Sequence, residues 1–289
     1  MMEDLLRSLY QERASDPDTL GVIKLYKTNS ASPVTDQFDV VLLIIVENAQ
    51  NDWYVKHYLI EDYTCAMHVV DKNRLEYWID TSSYRRMVYW VTEGDVVYDQ
   101  NEYVSKLRED LDVYPKEKRE LRLAIEFAKL TRSYQEAKSL YKNRDFLDSY
   151  QKIISAIHSL GRLSLIQEGF YPEMVVWNQV RRIDPATYKL YEELLNNNEP
   201  INERLELMML AIDFAINGKI GIGSSHLLNV MGDSSEKWGF KQLKSHPSVQ
   251  EYQLDLSMML AYLIEKEYVQ VTLEETKGVN VYHRLYSKI

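Results

Sequence analysis

A run of aliphatic residues from Val40 to Val46 constrains the fold of this chain more than any other stretch. A continuous apolar run of this kind is typical of a strand that is buried on both faces of a sheet. We therefore predict a central strand over residues 38–46. Two carboxylates, Asp36 and Asp39, stand where this strand begins. The segment 36–39 is called the strand mouth below.

An α/β arrangement is predicted around this strand, over residues 1–114. Alternating apolar and polar residues with β-branched and aromatic side chains indicate further strands. The strands are expected at residues 20–26, 38–46, 54–60, 63–70 and 74–79. Apolar residues three and four apart indicate helices at residues 3–13, 84–92 and 101–111. Strands interleaved with helices in this way favour a mixed sheet covered by helices.

A helical bundle is predicted over residues 115–197, because apolar residues recur there with helical spacing almost throughout. The polar segment 196–200 is the clearest linker in the chain. Beyond it, helices are expected at residues 203–217, 224–231 and 254–265, with a turn at residues 218–223 and a hairpin over 268–274 and 279–286. Three helices followed by a hairpin predict a winged helix-turn-helix over residues 198–289. The expected fold class is α+β with three domains.

Composition indicates the cellular compartment in which this chain is found. Cys65 is the only cysteine, so no internal disulfide can form, and we expect a buried core thiol and a reducing, cytoplasmic location. No apolar run approaches the ~20 residues that a membrane helix needs. The N-terminus is acidic, which is unlike a secretory signal or a transit peptide.

Charge is distributed unevenly along the chain. The whole chain has a formal net charge of −10, and residues 1–115 hold 11 Lys and Arg against 21 Asp and Glu. An acidic domain repels a phosphate chain unless metal ions lie between them. Residues 219–289 hold 8 residues of each sign, so the predicted winged helix favours protein docking over DNA binding.

The strand mouth has the residue types that a divalent cation requires. Carboxylates at positions i and i+2 of a strand share a face and can converge on one Mg²⁺. Asp39 is suitably placed, but Gln37 is a neutral amide, and Asp36 would need a bulge to reach the same ion. Glu76, on a predicted neighbouring strand, is the best third ligand. Solvation of an ordinary strand end remains the alternative interpretation.

The order of these parts resembles the nucleotidyltransferase-like proteins of Gram-positive bacteria, the YgxA-like group of the polymerase-beta-type superfamily. Asn29-Ser30 stands where that superfamily has a Gly-Ser turn, and Gln37-Phe38-Asp39 stands where it has Asp-x-Asp. Glu76 stands where its third carboxylate is expected. The segments 177–180 and 184–195 are similar to the helical substrate-binding domain of its antibiotic-modifying members.

This resemblance implies transfer of a nucleoside monophosphate from ATP or another NTP to an unknown acceptor. Asp39, Glu76 and Asp36 would hold Mg²⁺ and serve catalysis, while Asn29 and Ser30 would contact the nucleotide phosphates. Asn29 and Gln37 depart from the superfamily pattern. They motivate the alternative of a catalytically degenerate protein that acts as a binding or regulatory module. DNA and a second copy of the chain remain open as further partners, and no membrane is expected.

Overall fold

The computed structural model describes residues 2–27, 33–112, 115–234 and 236–289. The chain divides into two compact units, Met1–Pro115 and Lys116–Ile289. The predicted boundary at residue 198 falls inside the second unit, because helices on both sides of it contribute to one hydrophobic core.

The N-terminal unit is a five-stranded mixed sheet, as the sequence predicts. Its strands are β1 (Thr19–Tyr26), β2 (Val40–Val46), β3 (Trp53–Ile60), β4 (Tyr63–Asp71) and β5 (Asp95–Asp99). The strand order is β3-β4-β2-β1-β5, with β2 and β4 parallel and the other pairs antiparallel. The predicted central strand is confirmed, since β2 lies between two neighbours and its residues 40–45 are at most 1% exposed.

Four α-helices lie among the described residues of this unit. They are α1 (Met2–Ala14), α2 (Lys72–Thr81), α3 (Arg85–Glu93) and α4 (Tyr103–Asp112). Leu6 of α1 packs with Val22, Leu42 and Cys65 on one face of the sheet. Cys65 is a core residue, as predicted, and burial raises the pKa of its thiol to about 11, so the thiol stays protonated and unreactive at neutral pH.

The predicted strand at residues 74–79 is wrong, because this segment belongs to helix α2. The side chain of Asp71 accepts a hydrogen bond from the backbone N–H of Asn73 and so caps the first turn. Leu75, Trp78 and Ile79 are buried at helical spacing. The three- and four-residue period therefore decides the structure of a segment that is also rich in strand-forming aromatic residues.

The second unit begins with a helical bundle, as predicted. Its helices are α5 (Lys116–Lys142), α6 (Phe146–Gln167), α7 (Val176–Ile183), α8 (Pro185–Asn196) and α9 (Ile201–Asn217). The predicted break near Asn143 separates α5 from α6, and the predicted linker separates α8 from α9. The side chain of Asp184 caps α8 by accepting from the Thr187 backbone N–H, and it also accepts from the Ser164 hydroxyl of α6.

The winged helix-turn-helix follows within the same unit. It contains α10 (Ile220–Gly232), β6 (Trp238–Gly239), α11 (Phe240–Lys244), α12 (Leu256–Glu265), β7 (Val269–Glu275) and β8 (Tyr282–Lys288). The predicted hairpin is confirmed as β7 and β8, and β6 joins it in the order β6-β8-β7. Short α11 was missed. The expected turn at 218–223 is wrong beyond Lys219, since Gly221 and Gly223 lie inside α10.

Candidate functional site

The strand mouth is held by hydrogen bonds between the start of β2 and the start of β4. The Thr64 backbone N–H and the Thr64 hydroxyl each donate to Asp39 Oδ2, both at 2.8 Å. The Asp39 backbone N–H donates to the Thr64 carbonyl oxygen at 3.0 Å, and the Lys27 N–H donates to the Asp39 carbonyl oxygen at 2.9 Å. The carboxylate of Asp39 therefore joins two parallel strands at their beginning.

These contacts also fix the charge of Asp39. Hydrogen bonds from the backbone and side chain of Thr64, with a smaller contribution from the nearby Lys27 ammonium, lower the pKa of the Asp39 carboxyl below its usual value. Asp39 is consequently an anion at neutral pH. One of its two oxygens is occupied by Thr64, so the carboxylate serves strand pairing first.

Asp36 is bound to a different partner. The Arg86 guanidinium of α3 forms an ion pair with the Asp36 carboxylate. Asp36 and Gln37 both have left-handed backbone conformations, with φ of 51° and 72°. One turn further along α3, the Trp90 indole N–H donates to the Val34 carbonyl oxygen at 2.8 Å. Helix α3 thus holds the strand mouth from one side and neutralises its first carboxylate.

Glu76 lies far from both aspartates. It is exposed on α2, which begins directly after the last residue of β4. In the parallel pair, Val40 lies opposite Cys65 and Val46 lies opposite Asp71. Six residues of strand, at ~3.3 Å each, separate the two ends of that ladder by about 20 Å. The structure therefore brings Asp36 and Asp39 to one end of the sheet and Glu76 to the opposite end.

These positions do not fit a Mg²⁺ centre. Within the part of the chain that the structure describes, no three His, Cys, Asp or Glu side chains form a group that could hold a metal ion. At the strand mouth, Asp39 is engaged by Thr64 and Asp36 by Arg86. The predicted nucleotide contacts, Asn29 and Ser30, lie outside the described residues.

Two residues that shape this site were not assigned these roles by the sequence. No sequence pattern marks Thr64 as a partner of Asp39, because this contact depends on the parallel pairing of β2 with β4, which are distant in sequence. Arg86 belongs to an Arg-Arg pair for which the sequence favours a solvated surface, with phosphate binding as the alternative. In the structure Arg86 pairs with Asp36, the aspartate that would have to bind Mg²⁺. From the sequence alone, Asp36 could be a metal ligand and Arg86 a phosphate ligand, but their ion pair occupies both.

Three family models match the chain in succession. One described as Nucleotidyltransferase-like matches residues 2–119, one described as YgxA-like substrate binding domain matches residues 120–219, and one described as Helix-turn-helix domain matches residues 225–288. Helix α9, which the sequence pattern placed in the winged helix, falls within the second match.

Similar proteins cover the chain from end to end. The uncharacterized protein YgxA of Bacillus subtilis (strain 168) is 43% identical over 286 residues, which are 99% of this chain and 97% of that protein. A crystal structure of a nucleotidyltransferase-like protein from Exiguobacterium sibiricum 255-15 matches with a TM-score of 0.81 and 33% identity, over 100% of both chains. None of the helices in the described ranges is long and apolar enough to cross a membrane.

Proposed function

Because this chain belongs to the YgxA-like family of nucleotidyltransferase-like proteins, we propose that it uses the nucleotidyltransferase fold as a binding or regulatory module rather than as a metal-dependent transferase. Folds persist when their chemistry is lost, so fold membership alone does not supply an activity. In this proposal the helical segment 120–219 binds a small molecule, and the winged helix docks a protein partner.

One observation carries this proposal, which is that Glu76 follows the far end of the β2–β4 ladder, and this ladder is about 20 Å long from the strand mouth to that end. Nucleotidyl transfer relies on metal ions that neutralise the triphosphate, and those ions need converging carboxylates. The remaining aspartates do not compensate, since Arg86 neutralises Asp36. Without bound metal, the acidic N-terminal unit repels a triphosphate.

The second candidate function is transfer of a nucleoside monophosphate from ATP or another NTP, with Mg²⁺, to an unknown acceptor. The observation that favours it is the lowered pKa of Asp39, which keeps a carboxylate ionised where the superfamily has a metal ligand. This candidate requires Asp39 to bind metal in addition to Thr64. It also requires a further ligand that is not Glu76.

Calorimetric titration with ATP separates the two candidates. We expect no heat of binding, or a Kd above the millimolar range, both in Mg²⁺ and in a chelator. In the chelator, anionic ATP meets an acidic unit. In about 10 mM Mg²⁺, roughly tenfold above the ATP concentration, Thr64 and Arg86 already engage the two aspartates that would hold the metal. Asp39→Asn is expected to leave this result unchanged. Magnesium-dependent binding of ATP that Asp39→Asn weakens tenfold or more would instead support the transferase.

The winged helix is expected to bind DNA poorly. Its third helix, α12, contains no Lys or Arg, and its exposed residues are Ser257, Met258, Ala261 and Glu265. A recognition helix without cations gains little from the release of counterions at the DNA backbone. In fluorescence anisotropy with a labelled duplex, we expect weak binding that changes less than tenfold between about 50 and 200 mM salt. A loss of affinity of about a thousandfold over that range would show a DNA-binding surface.

A further inference from the structure

Three charged side chains meet between the two longest helices of the second unit. Glu126 and Lys129 lie one turn apart on α5, and Arg162 lies on α6. Lys129 Nζ is 3.2 Å from Glu126 Oε1, and Arg162 Nη1 is 3.9 Å from the same oxygen. The Glu126 side chain is only 3% exposed and that of Arg162 only 12%. Charged groups are rarely buried so deeply unless something binds them.

Two polar atoms of this group have no hydrogen-bond partner among the described residues. They are Glu126 Oε2 and Arg162 Nε, and both are sealed from solvent. The distance of 3.9 Å from Arg162 to Glu126 allows an ion pair but is too long for a hydrogen bond. A buried polar group without a partner costs free energy. The three side chains therefore leave one hydrogen-bond acceptor, Glu126 Oε2, and one donor, Arg162 Nε, for a further molecule.

The balance of charge selects an anion as that molecule. Lys129 and Arg162 provide two positive charges against the single carboxylate of Glu126. Arg122, one turn before Glu126 on α5, is 1% exposed, and its guanidinium lies 4.2 Å from the ring centre of Tyr171. Guanidinium and ammonium groups bind carboxylate and phosphate oxygens through charge-assisted hydrogen bonds.

The segment that carries Tyr171 is fixed in place. The Gln179 side chain of α7 donates to the Tyr171 carbonyl oxygen at 3.1 Å and accepts from the Glu173 backbone N–H at 2.9 Å. Gln179 is itself 7% exposed, so these bonds are protected from water. The ring over Arg122 is therefore held before any ligand arrives, which lowers the entropic cost of binding.

We propose that Glu126, Lys129 and Arg162, with Arg122 one turn away on α5, form a binding site for a small oxyanion that also offers an O–H group, such as a protonated phosphate. The anionic oxygens would accept from Arg162 and Lys129, and the O–H would donate to Glu126 Oε2. This inference rests on the proposed function, in which the helical segment 120–219 binds a small molecule. It names the chemical class of that molecule.

Inorganic phosphate and sulfate test the site on the full chain, because they share shape and charge but only phosphate has an O–H near neutral pH. In calorimetry at constant ionic strength, we expect phosphate to bind at least tenfold more tightly than sulfate. An oxygen of sulfate would face Glu126 Oε2 and repel it. Glu126→Gln replaces this acceptor with a side chain that can donate, and should reduce the preference for phosphate to less than threefold.

Variants of the cations complete the test. Arg162→Gln should weaken phosphate binding tenfold or more, and Lys129→Gln, at a more exposed position, should weaken it with less risk to folding. Arg182→Gln, which changes an exposed arginine of α7, is the matched control and should bind phosphate as the wild type does.

Absence of phosphate binding to the wild type, equal binding of sulfate, or unchanged binding by folded Lys129→Gln would overturn the proposal. Because these titrations contain neither ATP nor Mg²⁺, their failure is distinct from failure of the ATP experiment.

Discussion

Lowering the pH from 7 to 5 is expected to destabilise the N-terminal unit by about 2 kcal/mol through His68 alone. His68 is 5% exposed on β4, where its Nδ1 accepts a hydrogen bond from the Trp53 indole N–H at 3.3 Å. Its ring also packs edge-on against Trp90, with 4.6 Å between ring centres. Burial, with a smaller contribution from the charge of His57, lowers the pKa of His68 to about 4.

The direction of this effect follows from proton uptake. A histidine whose pKa is lower in the folded chain than its ordinary value of 6.5 binds more protons when the chain is unfolded. The contribution of neutral His68 to the free energy of unfolding is therefore fully present above pH 6.5 and is lost as the pH falls toward 4. Hydrogen exchange of β2 and β4 amides in urea, followed by mass spectrometry, measures the opening free energy of this unit directly.

His68→Phe is the control, because it keeps an aromatic ring in this cluster and removes the titrating group. Both proteins should lose opening free energy between pH 7 and pH 5, and the loss in His68→Phe should be smaller than the loss in the wild type by about 2 kcal/mol. Equal losses in the two proteins would mean that His68 is protonated, or reached by water, in the folded chain.

The second large effect is expected at Gly223, where the winged helix packs on the bundle. A Cβ added at Gly223 of α10 would lie 2.3 Å from Cδ2 of Phe127, a fully buried side chain of α5. Overpacking in a rigid core typically costs about 1–3 kcal/mol. Gly223→Ala should therefore lower the stability of the whole second unit by about that amount, measured by urea unfolding followed by circular dichroism.

Gly221 provides a matched control two residues away on the same helix. A Cβ at Gly221 meets no atom within 4 Å. Alanine is the better helix former by roughly 0.5–1 kcal/mol, so Gly221→Ala should stabilise the unit. Opposite signs for the two substitutions would support one core shared by α5 and α10. Similar small effects from both would show that the winged helix folds independently of the bundle.

The sequence predicted elements well where one periodicity dominates. The aliphatic run of β2 is compatible only with a buried strand, and the three- and four-residue spacing of the bundle segments is compatible only with helices. Residues 74–79 were predicted wrongly because Tyr77, Trp78 and the β-branched Ile79 favour a strand as well. The cap at Asp71, which lies outside that window, decides in favour of the helix.

The candidate sites could be predicted only in part, because they depend on contacts between distant segments. Asp36 and Asp39 are only three positions apart in sequence, so their common location was predictable. The position of Glu76 depends on the parallel register of β2 and β4, which no local pattern encodes. Similarly, Glu126 and Arg162 appear as ordinary charges of amphipathic helices, and only the packing of α5 on α6 shows that they are buried.

Titration with Mn²⁺ in place of Mg²⁺ measures whether the strand mouth is a metal centre. Electron paramagnetic resonance of free Mn²⁺ counts the ions that the protein removes from solution, and with ATP present the count is taken relative to ATP alone, because ATP itself binds Mn²⁺. We expect no site with a Kd below about 1 mM in the wild type, and the same titration curve for Asp39→Asn, because Thr64 and Arg86 engage the two aspartates. Binding of one or two Mn²⁺ per chain that Asp39→Asn abolishes would instead show that the strand mouth is a metal centre.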